Sequence, residues 1–404
     1  MNPYFVLILL SVLVIFSYLF DMVSRRTQIP SVLLLLVLGS ILRYVSIYLH
    51  LPIYKFTTIL PLLGTVGLIL IVFEGALELK FEPSKAKLIR STFIAALFLL
   101  CLTSVAIAGL FYYFLEVPFQ RCLLNAIPFS VISSAIAIPS VTSLFTDKKE
   151  FIIYESSFSD ILGIMLFNLI LMNETIDASM IGEFGVQVLI VSLISLISCF
   201  GFLFIMGRMK HHVKFFLIIS ALILVYAVGK QFHLSTLIVV LAFGLFLENS
   251  ELIAKRLSAL PLLKKVESIM IYPSLRTDLK GLHQLTAESA FLLRTFFFLV
   301  FGYSLEISEL MQSSVFFFGS LTLLVVYLLR WIYLAVIVKA HLWPELVISP
   351  RGLISVLLFL SIPQEKLVGS FMSGLLLFII LASGLLMTIG LIATGKLPTE
   401  SGDE

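Results

Sequence analysis

The stretch Tyr154-Glu155-Ser156-Ser157-Phe158-Ser159-Asp160-Ile161-Leu162-Gly163 sits inside an apolar run, 150–172, of the length that crosses a bilayer as a helix. Asp160 falls near the centre of that run, with Ser156 one turn away on the same face and Ser159 beside it. A charge at the bilayer centre costs about 2.5–3.5 kcal/mol on insertion scales and is kept where it is functional or paired. A carboxylate among hydroxyls offers the oxygen ligands that a hard cation takes, and the same carboxylate accepts a proton. The structural alternative is an aspartate capping a neighbouring broken helix.

The rest of the chain has the same character. Of 404 residues, 60% are hydrophobic and only 13% charged, and mean hydropathy is +1.12. A water-soluble fold has nowhere to bury that much apolar surface. The apolar runs predict an all-α polytopic membrane protein with about thirteen spans. They fall near 3–20, 30–48, 60–79, 91–115, 121–145, 150–172, 182–206, 213–229, 233–249, 286–304, 314–338, 345–362 and 367–394. The first run has no basic n-region and no small-residue cleavage site, so it reads as a retained helix. Cys101, Cys122 and Cys199 all lie in apolar runs and are expected to be free packing thiols.

Lysine and arginine set the orientation. Nineteen of the 27 lie in the connections after odd-numbered spans or in the tail, with Lys214 counted there at the mouth of span 8. Lys55, Arg121, Lys230 and Lys366 lie in the connections after even-numbered spans, and Arg43, Arg294, Arg330 and Arg351 lie inside spans. This asymmetry places the odd connections and the C-terminus in the cytoplasm and the N-terminus outside. The connection 250–285 mixes Lys/Arg with Leu/Ile and holds Pro261 and Pro273. It is expected to be an amphipathic cytoplasmic linker. Residues 395–404 form a short cytoplasmic tail, with no appended nucleotide-binding domain.

Spans 4–6 begin inside and spans 11–13 begin outside, so the two triplets are inverted. The middle member of each is interrupted: Ser133, Ser134, Pro139 and Ser140 in the fifth span, Ser349, Pro350, Arg351 and Gly352 in the twelfth. Broken helices in matching positions of inverted halves point to a transporter's midplane ion site. The predicted architecture is therefore a six-helix core, 91–172 and 314–394, with two broken crossing helices. The remaining helices, 1–90 and 182–313, would flank it.

Depth suggests partners for the other buried charges. Glu155 lies about 9 Å into the inner half of its span, Arg330 about 6 Å, Glu74 about 7 Å and Arg351 about 4 Å, at 1.5 Å per residue. Two acids and two arginines at matching depth predict two buried ion pairs of structural role. Depth alone leaves open which acid meets which base. Arg294, near the centre of span 10, has three readings: the ion cavity, a carboxylate, or broken-helix carbonyls. Arg43 is expected to snorkel outward, and the 36 phenylalanines to be packing and lipid-facing bulk.

All six histidines, His50, His211, His212, His233, His283 and His341, fall in loops or at span ends. That argues against a resident metal and against an HExxH site. Gly229-Lys230 and Gly395-Lys396 lack the Walker spacing, which argues against ATP-driven pumping. No cofactor and no nucleic-acid partner is expected.

Glu155-Ser156-x-x-Ser159-Asp160 resembles the E-S-x-x-N-D motif of the monovalent cation:proton antiporter superfamily, sodium/proton exchanger branch. The likeness extends in order through Ile29-Pro30-Ser31-Val32, Phe73-Glu74-Gly75-Ala76-Leu77 and Pro350-Arg351-Gly352-Leu353-Ile354-Ser355. It implies that Asp160 is the ion- and proton-binding carboxylate, with Ser156 an additional ligand and Ser159 where the family has Asn. It further implies a core-stabilising pair of Glu155 with Arg330 and a second bridge of Glu74 with Arg351. The fifth span departs from the family's threonine-aspartate-proline. Ser133-Ser134-Ala135-Ile136-Ala137-Ile138-Pro139 carries no carboxylate and is nearer to the potassium-efflux branch.

The resemblance implies a multi-pass, homodimeric secondary antiporter of the cell (inner) membrane, serving pH homeostasis. It would exchange Na⁺ for H⁺ by alternating access, with Na⁺ or K⁺ at Asp160 as cargo and the bilayer as its surroundings. One titratable carboxylate predicts electroneutral exchange. K⁺/H⁺ exchange on the same fold is the nearest rival, and a cation channel is a second. A membrane-embedded enzyme would need a catalytic His or metal cluster at membrane depth, which the sequence lacks.

Overall fold

The computed structural model describes residues 3–27, 29–50, 59–80, 83–141, 146–173, 193–201, 215–231, 236–258, 275–338 and 343–393, with 182, 185, 186, 189, 190 and 204 besides. The regular elements are helical: α1 Pro3–Thr27, α2 Ser31–Tyr48, α3 Ile59–Glu78, α4 Ala86–Leu115, α5 Phe119–Ser130, α6 Ser134–Ser140 and α7 Thr146–Met172. There follow α8 Phe215–Gln231, α9 Thr236–Glu248, α10 Ser250–Ser258, α11 Leu275–Ser304, α12 Ile307–Leu310, α13 Ser313–Tyr333, α14 Leu353–Leu360 and α15 Met372–Ala393. Among the described residues, seven spans are long and apolar enough to cross a membrane, and shorter apolar helices accompany them. Most of predicted span 7, the centre of the 250–285 linker with Pro261 and Pro273, the tail 395–404, and His211, His212, His233 and His341 lie outside the described residues.

The helices are built for lipid. On α4 the residues turned inward are Thr92, Ala95, Ala96, Leu99, Thr103, Ser104 and Ala108, many of them small or hydroxylic. Ile94, Leu97, Phe98, Leu102 and Val105 are exposed. Small residues at helix contacts and large apolar ones outside is the pattern of packing within a bilayer, where burying apolar surface gives no drive between helices.

The chain divides into two compact units. The first comprises Met1–Gly64, Arg90–Leu171 and Arg294–Glu404. Here α13 packs on α15, α14 on α5, and α1 on α2. Gly39 and Gly302 allow α2 and α11 to touch backbone to backbone: a Cβ at Gly39 would lie 2.2 Å from the Leu299 carbonyl oxygen, and one at Gly302 2.4 Å from that of Leu36. Ser17 and Thr295 share a buried hydroxyl hydrogen bond of 2.6 Å. The second unit comprises Thr65–Ile89 and Met172–Leu293, with α8 packed on α9.

Three boundaries differ from the sequence expectation. Helix α11 opens at Leu275, not near 286, so the end of the expected linker is already the first turns of this helix. The twelfth predicted span is helical only from Leu353, after an extended stretch that includes Pro350 and Gly352. In the fifth span the interruption is Val131-Ile132-Ser133, whereas Ser134 opens α6 and Pro139 lies inside it. Proline so near a helix end removes few hydrogen bonds, so the two serines flank the break more closely than the proline does.

Candidate functional site

A break in a buried helix strands backbone donors and acceptors, and each needs a partner. The partners at this break define the site. The Ile132 amide donates to Ser159 Oγ at 2.9 Å, the Ser133 amide to the Pro350 carbonyl at 2.9 Å, and the Ser134 amide to Asp160 Oδ2 at 3.1 Å. Two neighbouring residues of α7 and the second broken segment thus take three consecutive amides of the first. Asp160 does hold the start of α6, as the capping alternative required, but with one oxygen only. Its Oδ1 is buried and has no hydrogen-bond partner among the described residues.

The stranded carbonyls at the end of α5 are met by Arg351. Its Nε donates to the Phe129 carbonyl at 2.8 Å and its Nη2 to the Ser130 carbonyl at 3.3 Å. Nη1 donates to the carbonyl and hydroxyl oxygens of Ser349. The Arg351 amide donates to Ser383 Oγ at 3.0 Å. Of the three readings of Arg294, its Nη1 takes the broken-helix carbonyl, bonding Ala135 at 3.1 Å. Glu74 belongs to the second unit, and its pairing with Arg351 stands as a proposal.

Ser156 is fully buried and its hydroxyl donates to the Ile153 carbonyl at 3.2 Å. The proton is thereby committed to its own helix, while the oxygen keeps lone pairs for a ligand. Ser133 Oγ, Ser157 Oγ and Ser355 Oγ are buried and, like Asp160 Oδ1, lack a hydrogen-bond partner among the described residues. Buried oxygens in that state call for an explanation, and a transported ion at the crossing supplies one.

Glu155 and Arg330 meet as a fork: Nη1 to Oε1 at 2.7 Å and Nη2 to Oε2 at 2.8 Å. Arg330 further donates through Nε to the Glu345 carbonyl at 2.9 Å. Both side chains are about 2% exposed or less. Lys148 Nζ reaches the Trp343 carbonyl at 2.8 Å and the Glu345 carboxylate at 3.3 Å, tying the opening turns of α7 to the same segment. A cavity of about 10 Å³ lies among Ser159, Ser130, Ser349, Arg330 and Arg351. It has room for one water, so the ion pair and the crossing are separated by no more than that. Arg43, expected to snorkel, bonds the Tyr303 carbonyl at 3.2 Å and Glu306 at 2.7 Å.

Sequence reasoning missed Ser383 and Glu345. A serine in the run Leu381-Ala382-Ser383-Gly384 and an acid at the edge of a span were visible signals, but neither has a depth-matched charge to point to.

Gly352 yields a test of the crossing. A Cβ there would lie 2.7 Å from Ser133 Oγ and from Ile136 Cδ1, wedging the two broken segments apart. Gly352→Ala is expected to cost about 1–3 kcal/mol, as overpacking does, and to slow transport. Gly109→Ala, whose Cβ meets nothing within 4 Å, is the control. Equal thermal unfolding temperatures for the two variants would refute the tight crossing.

The family described as sodium/hydrogen exchanger, transmembrane, matches residues 9–396. No curated protein matches the chain by sequence. Among solved structures, that of the sodium proton antiporter MjNhaP1 from Methanocaldococcus jannaschii at pH 8 is similar with a TM-score of 0.68 at 19% identity, covering 96% of this chain and 100% of that one. The structure of the same antiporter from an electron-microscopy map gives 0.68 at 20% identity over 100% of both chains. At that identity the structures establish a shared fold. With the family's sequence pattern running through nearly the whole chain, this multi-pass integral membrane protein belongs to the sodium/hydrogen exchanger family and is an antiporter rather than an enzyme.

Proposed function

We propose that Asp160 carries a sodium ion and a proton by turns, and that this competition is what couples their opposed movement. The observation that carries the reading is the buried carboxylate with one oxygen committed to the Ser134 amide and the other without a hydrogen-bond partner among the described residues. Either ligand neutralises the charge, so only a loaded site is cheap to move through a low-dielectric barrier. Ser156 and Ser159 add oxygens to the cation's shell. The core 91–172 and 314–394 moves against the remaining helices, and Glu74 balances the charge of Arg351. The N-terminus lies outside and the C-terminus in the cytoplasm of the cell membrane, and the working form is a homodimer.

The stoichiometry is one to one. The residue before Asp160 is Ser159, which does not titrate in the working range, and both oxygens of Glu155 are held by Arg330. One carboxylate then exchanges one proton for one monovalent cation, and a turnover moves no net charge. A clamped potential of 100 mV is worth about 2.3 kcal/mol per charge moved, so voltage sensitivity is easily detected. The expected result in proteoliposomes is Na⁺-driven proton movement whose equilibrium ignores voltage. A steady-state current would mean that a second group titrates. Offering Na⁺, Li⁺ and K⁺ in turn tests the cation, because the carboxylate-free stretch Ser133–Pro139 keeps K⁺ as the second reading. Cation flux without coupled protons would sink the antiport mechanism.

A further inference from the structure

The second unit contains a cavity of about 820 Å³, within the range of small-molecule sites, and cation exchange gives it no task. Lys80, Lys255, Arg276 and Lys280 line it, against two acids, Glu248 and Glu251. Both acids are engaged. Arg276 clasps Glu251 through Nε and Nη2 at 2.7 and 2.8 Å, and His283 Nε2 lies 3.0 Å from Glu248 Oε2. The Arg276 bond holds the Glu251 carboxyl below its usual range, against some desolvation, with the charges of Arg276, Lys255 and Lys80 adding to the effect. Four cations against two carboxylates leave a formal excess of two positive charges, His283 aside. A field of that sign repels sodium and gathers anions.

The cavity is also preorganised. Asn249, which lines it, is buried and donates through Nδ2 to the Leu79 carbonyl and the Leu245 carbonyl, both at 2.9 Å. That ties the end of α3 to the junction of α9 and α10. Lys255 sits on α10, and Arg276 and Lys280 sit on the opening turns of α11. The cationic groups are thus carried largely on helices held at fixed positions, with ends exposed for a ligand.

We propose that this cavity binds an anion bearing a phosphate group. Several ammonium groups around one volume suit a multiply charged oxyanion, to which lysine acts as a point charge. The volume exceeds what a halide needs. On the orientation proposed above, Lys80 and the 250–285 segment face the cytoplasm, where soluble nucleotides and anionic lipid headgroups both present that chemistry.

The test uses the full-length purified protein. ADP is titrated by calorimetry in detergent, and thermal stability is compared in phosphatidylcholine vesicles with and without phosphatidylglycerol. Saturable ADP binding, weakening as salt is raised, is expected for a soluble ligand, and stabilisation dependent on phosphatidylglycerol for a headgroup; either supports the proposal. In the variant K80Q/K255Q/K280Q the response should fall at least about tenfold, since each lysine removed is a lost charge-assisted contact. Lys280→Gln alone, at an exposed position, should fall in the same direction and serves if the triple variant does not fold. No response to either probe, or an undiminished response in both variants, overturns the proposal.

Discussion

Asp160→Asn is expected to give a folded protein that exchanges nothing. Asparagine keeps a carbonyl oxygen to accept the Ser134 amide, so the start of α6 stays in place and thermal unfolding should change little. What disappears is the charge. A cation about 4 Å from a carboxylate gains roughly 4 kcal/mol at an effective dielectric constant of 20, and that is about a thousandfold in affinity. The amide also takes no proton, so neither half of the cycle is left. Proton-coupled sodium flux in proteoliposomes is the measurement, alongside an unfolding curve in detergent. Substantial coupled flux from a folded variant would remove Asp160 from the mechanism.

The second large effect belongs to the fork between Arg330 and Glu155. Arg330→Ala leaves a carboxylate 1% exposed with no countercharge, and breaking such a pair costs about 3–5 kcal/mol. It also strands the Glu345 carbonyl that Nε satisfies. Adding Glu155→Gln removes the orphaned charge, so the double variant should recover part of the lost stability. A double-mutant cycle read by thermal unfolding gives the coupling. Additive losses would show that the two do not interact in the folded protein. The same cycle on Glu74 and Arg351 tests the proposed second bridge, and a small coupling there would leave Arg351 to the carbonyls of α5 alone.

Much of this molecule can be read from its letters because a bilayer leaves few options. Runs of apolar residues locate α4, α7, α13 and α15 within a few residues, since a span must satisfy its own backbone. Where polar chemistry continues a helix, hydropathy is blind. Arg276-Thr277-Asp278-Leu279-Lys280 reads as a surface linker, yet it is the first turns of α11. Buried arginines are harder still. Depth matching looks for carboxylates, whereas Arg351 and Arg294 bond carbonyls freed by a break, and a carbonyl has no letter. Ser159 illustrates the converse: its place in the motif is plain, but that its oxygen takes the Ile132 amide follows only from where the fifth span opens.

The opening in the twelfth span bears on how the chain is made. Helix α14 has eight residues, about 12 Å of length, far short of the roughly 30 Å hydrocarbon layer. Lipid can satisfy neither the guanidinium of Arg351 nor the carbonyls it bonds. Those carbonyls, at Phe129 and Ser130, leave the ribosome some two hundred residues earlier than the arginine. During synthesis the first broken hairpin must therefore wait, held by the insertion machinery or by its own α7, until the second arrives. A chain stopped after α13 would carry α5 into the membrane with its last turn unanswered, and quality control would see it as unfinished.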